Sequence, residues 1–146
     1  MDSFVLTADQ QAAQEAFNAF ILDPNDPVFV LSGFSGTGKS TLVSTLVDSL
    51  PKLLKTARLI DPSTATIQET VLTATTNKAA ETFSQITGQE VRTIHSFLGL
   101  RVHTDYKKGT STLVPNRNAE PKRHLIVFID EASYVDKALL GYIFKY

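Results

Sequence analysis

The chain has 146 residues, 42% hydrophobic and 20% charged, with a net charge of −1 and no cysteine. That size and apolar share suit one globular domain with a proper core, and they exclude a disordered chain. No run approaches the roughly eighteen apolar residues of a spanning helix, residues 1–6 lack the basic-then-apolar pattern of a secretory signal, and disulfides and thiolate metal sites are ruled out. The expectation is a cytoplasmic protein with no membrane partner.

Thr7-Ala8-Asp9-Gln10 has the form of a capping box, with Thr7 as N-cap and Gln10 reaching back, and predicts a first helix over Ala8–Leu22. Its apolar face is Ala13, Phe17, Phe20 and Ile21, and Asp23-Pro24-Asn25-Asp26-Pro27 ends it. Val28-Phe29-Val30-Leu31 reads as a short buried strand. A helix over residues 41–50 follows, with Leu42, Val43, Leu46, Val47 and Leu50 at helical spacing and Pro51 as its stop. Residues 56–70 carry no assignable pattern. Residues 71–75 read as a second strand, after which Thr76 or Asn77 caps a helix that stops at Gly88. Thr93 caps a short helix over residues 94–100. Residues 101–123 hold six basic groups against two acidic ones, whereas residues 1–38 hold five acidic groups and no Lys or Arg. Lys108-Gly109 lies between two Thr- and Val-containing arms of that basic segment and predicts a β-hairpin. The segment can track a phosphate backbone, although on charge alone a solvated loop is the simpler reading. Residues 125–129 form the most apolar run, a strand buried on both faces. Ser133 then caps a last helix carrying Val135, Leu139, Leu140, Ile143 and Phe144.

Strands alternating with helices predict an α/β domain with a mainly parallel sheet, whose ligands bind at the carboxyl ends of the strands. Gly33-Phe34-Ser35-Gly36-Thr37-Gly38-Lys39-Ser40, Thr75-Thr76 and Asp130-Glu131 all fall at such ends. The first of these is a complete G-x-x-x-x-G-K-[ST] phosphate loop. Its glycines let successive backbone N–H groups point at phosphate oxygens, at the positive end of the following helix. Gly33, Ser35, Gly36, Thr37, Gly38, Lys39, Ser40 and Thr41 are therefore the candidate residues for binding ATP. Lys39 would reach the β- and γ-phosphates and Ser40 would take a place on Mg²⁺. In isolation Asp130-Glu131 reads as a solvated acidic turn. Beside a phosphate loop it reads as the rest of an NTPase site, with Asp130 holding Mg²⁺ through water and Glu131 activating the attacking water.

With these motifs in place the chain resembles the N-terminal RecA-like domain of superfamily 1 DNA helicases, closest to the Dda-type and RecD-type enzymes of the 5′-to-3′ branch. Residues 6–10 are similar to the Q-motif, 33–40 to motif I, 72–80 to motif Ia, Thr93-Ile94-His95-Ser96-Phe97 to motif Ib and 127–133 to motif II. The resemblance implies a RecA-like motor domain over 1–100 and 124–146 and an inserted, pin-like hairpin subdomain over 101–123. It implies that Gln10 reads the adenine base, and that Thr76, Asn77, Thr93, His95 and Ser96 contact single-stranded DNA. Gln10 also has a purely structural use in the capping box. Where the family carries an aromatic near the hairpin tip, Leu113 and Val114 occupy the similar place, and Tyr106 is the segment's one aromatic. Motif III and a second RecA-like domain, the implied partner supplying an arginine to the ATP site, have no counterpart before Tyr146. The expectation is a piece of a longer helicase from a bacterial or phage-infected cell. Two alternatives stay open: a stand-alone nucleotide- or DNA-binding module without motor activity, and a AAA-type loader ATPase.

Overall fold

The computed structural model describes residues 5–22, 27–63, 67 and 69–146. It divides into two compact units, residues 1–66 and residues 67–146.

The first unit contains helices α1 (Ala8–Leu22) and α2 (Lys39–Ile60). The capping box forms as expected: the Thr7 N–H donates to Gln10 Oε1 at 3.0 Å and the Gln10 N–H to Thr7 Oγ1 at 3.3 Å. Phe17 and Ile21 are buried on the expected face of α1. Residues 23–26 of the expected turn lie outside the described residues.

Two expectations are corrected here. Residues 28–31 form no strand, because among the described residues no ladder is available to pair their N–H and C=O groups. Their strand-like alternation is anchored on one side only, where the Phe29 ring meets Phe17 at 5.6 Å and Phe20 at 5.5 Å, while Val30 is left 76% exposed. Pro51 does not end α2, which runs 22 residues and carries the proline inside it. Proline removes one helical hydrogen bond. Burial beyond it outweighs that loss, since Leu54 and Ala57 extend the buried stripe of Leu42, Leu46, Val47 and Leu50.

The second unit is built on a parallel sheet of β1 (Glu69–Ala74), β2 (Val91–Thr93) and β5 (Leu125–Asp130) in the order β2-β1-β5. Helix α3 (Asn77–Thr87) links β1 to β2; Thr76 caps it by accepting from the Ala79 N–H at 3.1 Å, and Gly88 ends it in the left-handed conformation. Strand β2, three residues of mixed character, has no counterpart among the predicted elements. Helix α4 (Ile94–Phe97) is capped by Thr93 and ends earlier than expected. An antiparallel hairpin follows, β3 (Leu100–Asp105) and β4 (Thr110–Pro115). After β5 a 3₁₀ turn, Ala132–Tyr134, leads to α5 (Lys137–Lys145). The cap of α5 is Asp136, which accepts from the Leu139 N–H at 2.7 Å, and not Ser133, which lies in the 3₁₀ turn.

Apolar residues close both faces of this sheet. Ala74, Ala79, Ala80 and Val91 join α3 to one face. Val71, Ile94, Phe97, Leu98, Leu100 and Leu139 form the larger core on the other, backed by Leu125, Val127 and Ile129. Thr73 is fully buried and satisfies its hydroxyl on the Phe128 carbonyl at 2.7 Å. The expected α/β fold, a parallel sheet flanked by helices with a small hairpin, is what the chain adopts. Among the described residues no helix is long and apolar enough to cross a membrane.

Candidate nucleotide-binding and nucleic-acid sites

In the first unit the phosphate loop stands at the head of α2. Gly36 and Gly38 both have φ of 78°, and Gly38 serves as the N-cap of α2 without any side-chain cap. The first-turn N–H groups of a 22-residue helix are thus left to other acceptors. Lys39 folds back over the loop, its Nζ donating to the carbonyls of Gly33 at 2.6 Å and Phe34 at 2.7 Å. Thr37 Oγ1 donates to the same Phe34 carbonyl at 2.7 Å. Space is tight beside the loop: a Cβ at Gly33 would stand 3.2 Å from Thr37 Oγ1, and one at Gly38 only 2.8 Å from Gln10 Nε2. The structure therefore brings Gln10 onto the loop, with Nε2 donating to the Thr37 carbonyl at 3.5 Å. Uncapped N–H groups and one ammonium are the donor set that phosphate oxygens need, so the residues present fit a triphosphate.

In the second unit the candidates line the carboxyl edge of the sheet. The ladder registers Ala74 with Thr93 on one side and with Asp130 on the other. Thr93 and Asp130 are therefore in one row, roughly 10 Å apart across two strand spacings. Asp130 is half-buried at the strand tip and Glu131 is exposed. Glu131 has φ 53° and ψ 42°, the left-handed region that costs a side-chain-bearing residue about 1–2 kcal/mol. Two bonds to its carbonyl hold it there, from the Thr75 hydroxyl at 3.2 Å and the Tyr134 N–H at 3.1 Å. No group of three His, Cys, Asp or Glu able to hold a metal occurs among the described residues. The two expected magnesium donors lie one in each unit, Ser40 in the first turn of α2 and Asp130 at the tip of β5.

Asn77, Thr93 and Ser96 line a cleft of about 450 Å³ with Glu81, Gln85 and Arg92. Thr76 and Ser96 are exposed, and His95 is half-buried on α4. Thr76 and Thr93 also have capping work, as shown by their bonds to Ala79 and Ser96. Arg92 was not among the sequence candidates. Its guanidinium stands 5.4 Å from the Phe97 ring centroid, and Lys122 Nζ 5.2 Å from the same centroid, so two cations share one ring. At the hairpin, Leu113 and Val114 register with Val102 and Arg101 near its base, not its tip. Tyr106 occupies the turn instead and is 91% exposed. The Asp105 carboxylate fixes that turn by accepting from the Lys107 N–H at 2.9 Å and the Lys108 N–H at 3.3 Å.

The glycine loop heading an uncapped helix and the parallel sheet with its acidic strand tip define a P-loop ATPase domain. The chain matches the AAA domain family over residues 13–146 and belongs to it. No solved structure matches the chain.

Proposed function

We propose that this chain is the ATP-binding motor domain of a superfamily 1 DNA helicase, acting on single-stranded DNA. The observation that carries the nucleotide part is the complete phosphate loop at the uncapped N-terminus of α2. Bound Mg-ATP supplies the phosphoryl group whose hydrolysis drives stepping. The Lys39 ammonium, which lies over the loop on the carbonyls of Gly33 and Phe34, would hold the β- and γ-phosphates. The Ser40 hydroxyl and the Asp130 carboxylate serve the cation, and Glu131 orients water and accepts its proton. Residue chemistry supports this division of labour: one ammonium, one hydroxyl and two successive carboxylates at the tip of an apolar strand.

The DNA part rests on the turn after β1 and on α4, where Thr76, Asn77, Thr93, His95 and Ser96 offer hydroxyl, amide and imidazole groups to a sugar-phosphate backbone. The register supports a coupling, because Thr93 and Asp130 flank the same residue of β1. The reading requires a second RecA-like domain whose arginine completes the ATP site, worth about 10³–10⁵ in rate. Turnover by the present chain alone is accordingly expected to be very slow.

The test is equilibrium binding of Mg-ATP and of a fluorescent oligo(dT). Lys39→Ala should abolish the first and leave the second. The double change Thr76→Ala, His95→Ala should weaken the second and leave the first. Membership of the AAA domain family is equally compatible with a loader-type ATPase without this DNA path; unchanged oligo(dT) affinity in the double variant would select it.

A further inference from the structure

We propose that Gln10 is the brace of the phosphate loop, a positioning residue that orients the loop for any triphosphate whatever its base. The inference rests on the nucleotide-binding reading above. Gln10 is only 9% exposed although its neighbours Asp9 and Gln11 are exposed, so a polar side chain has been drawn inward at the first turn of α1. A buried carboxamide needs partners at both ends. Its Oε1 accepts from the Thr7 N–H at 3.0 Å, and its Nε2 donates to the Thr37 carbonyl at 3.5 Å. The Thr7 N–H can only donate and the Thr37 carbonyl can only accept, so the two partners dictate which end of the amide is which.

The close approach is as informative as the bond. Gln10 Nε2 occupies the space a Cβ at Gly38 would need, 2.8 Å away, so the carboxamide lies directly on the Gly38 backbone. The peptide joining Thr37 to Gly38 is planar and trans. Holding its carbonyl toward Gln10 therefore turns the Gly38 N–H the opposite way, and that N–H is one of the donors a phosphate loop offers. Gln10 thus sets the direction of a loop donor, with one bond at each end of its own amide. The second N–H and the second lone pair of the amide are not used in these two bonds, so the ligand series below, and not the hydrogen-bond count, separates bracing from base reading.

Calorimetry of the full chain with Mg-ATP, Mg-GTP and Mg-tripolyphosphate separates the roles. Gln10→Glu keeps an oxygen for the Thr7 N–H, so the helix cap survives, but it sets a carboxylate against the Thr37 carbonyl. All three ligands are expected to weaken by the same factor, about tenfold. Gln10→Met, which keeps the length and loses the donor, should weaken all three in parallel and by less. Weakened ATP with unchanged tripolyphosphate would overturn the proposal in favour of base reading. Unchanged binding of all three would overturn it outright. Lys39→Ala checks the parent reading separately: if that variant still binds all three ligands, the phosphate loop is not the site, whatever Gln10 does.

Discussion

Replacing Glu131 by glycine should make the protein more stable. Glu131 sits at φ 53° and ψ 42°, where the clash of Cβ with the backbone costs roughly 1–2 kcal/mol. Glycine removes that cost but returns about 0.5–1 kcal/mol through the greater freedom of the unfolded chain. The Glu131 side chain is exposed, and the two bonds to this residue go to its backbone carbonyl, so the substitution removes no packing and no partner. The net gain is about 0.5–1 kcal/mol. Urea unfolding followed by circular dichroism reads this as a midpoint raised by about 0.3–0.5 M at a typical slope. Glu131→Ala is the control, since alanine keeps the strain and loses only the carboxylate, and it should unfold near the wild-type midpoint. A glycine variant no more stable than the alanine variant would refute the claim that this residue is strained. Both variants lack the proposed base for water, so the stabilised protein should also be the less active one, as expected where a working residue is held against its preference.

Three further outcomes are expected. Pro51→Ala should raise stability by about 1–3 kcal/mol, because an exposed proline inside α2 forgoes a backbone bond; a lowered unfolding midpoint would mean that the helix ends before it. Arg92→Gln should weaken oligo(dT) binding and reduce the slope of log affinity against log salt by about one, which an unchanged slope would contradict. Tyr106→Ala should cost about 1–3 kcal/mol in affinity for a forked DNA whose bases reach the hairpin turn, and fluorescence anisotropy showing equal affinity would remove Tyr106 from the DNA path.

Elements whose signals are local were legible in the sequence. The Thr7 to Gln10 box set the start of α1, Thr76 and Gly88 bounded α3, and the apolar run of β5 fixed a strand that the ladder pairs with β1. The failures have a different physical origin. Residues 28–31 have strand composition, but a strand exists only through a partner, and composition does not say whether one is there. Pro51 reads as a stop because its local cost is high, while the burial of Leu54 and Ala57 that outweighs it is a tertiary effect. Asp136 and Ser133 are both good caps, and the choice between them depends on the 3₁₀ turn following the left-handed Glu131, which no pattern announces. The phosphate loop is legible as a motif because it is contiguous. The place of Arg92 is not legible, since it comes to the cleft only through the packing of β2 beside α3 and α4, while Tyr106, notable in the sequence only as the basic segment's one aromatic, is held in the turn by the bonds to Asp105.

The lysine latched onto its own loop has a consequence for the speed of ligand capture. With Lys39 bonded to Gly33 and Phe34, and Thr37 bonded to Phe34, three side-chain bonds tie the loop to itself. Little backbone then has to be ordered on binding, and the entropic cost that slows flexible loops is largely absent. Association should proceed at the pace of ordinary encounter, leaving affinity to be decided by how fast the ligand departs.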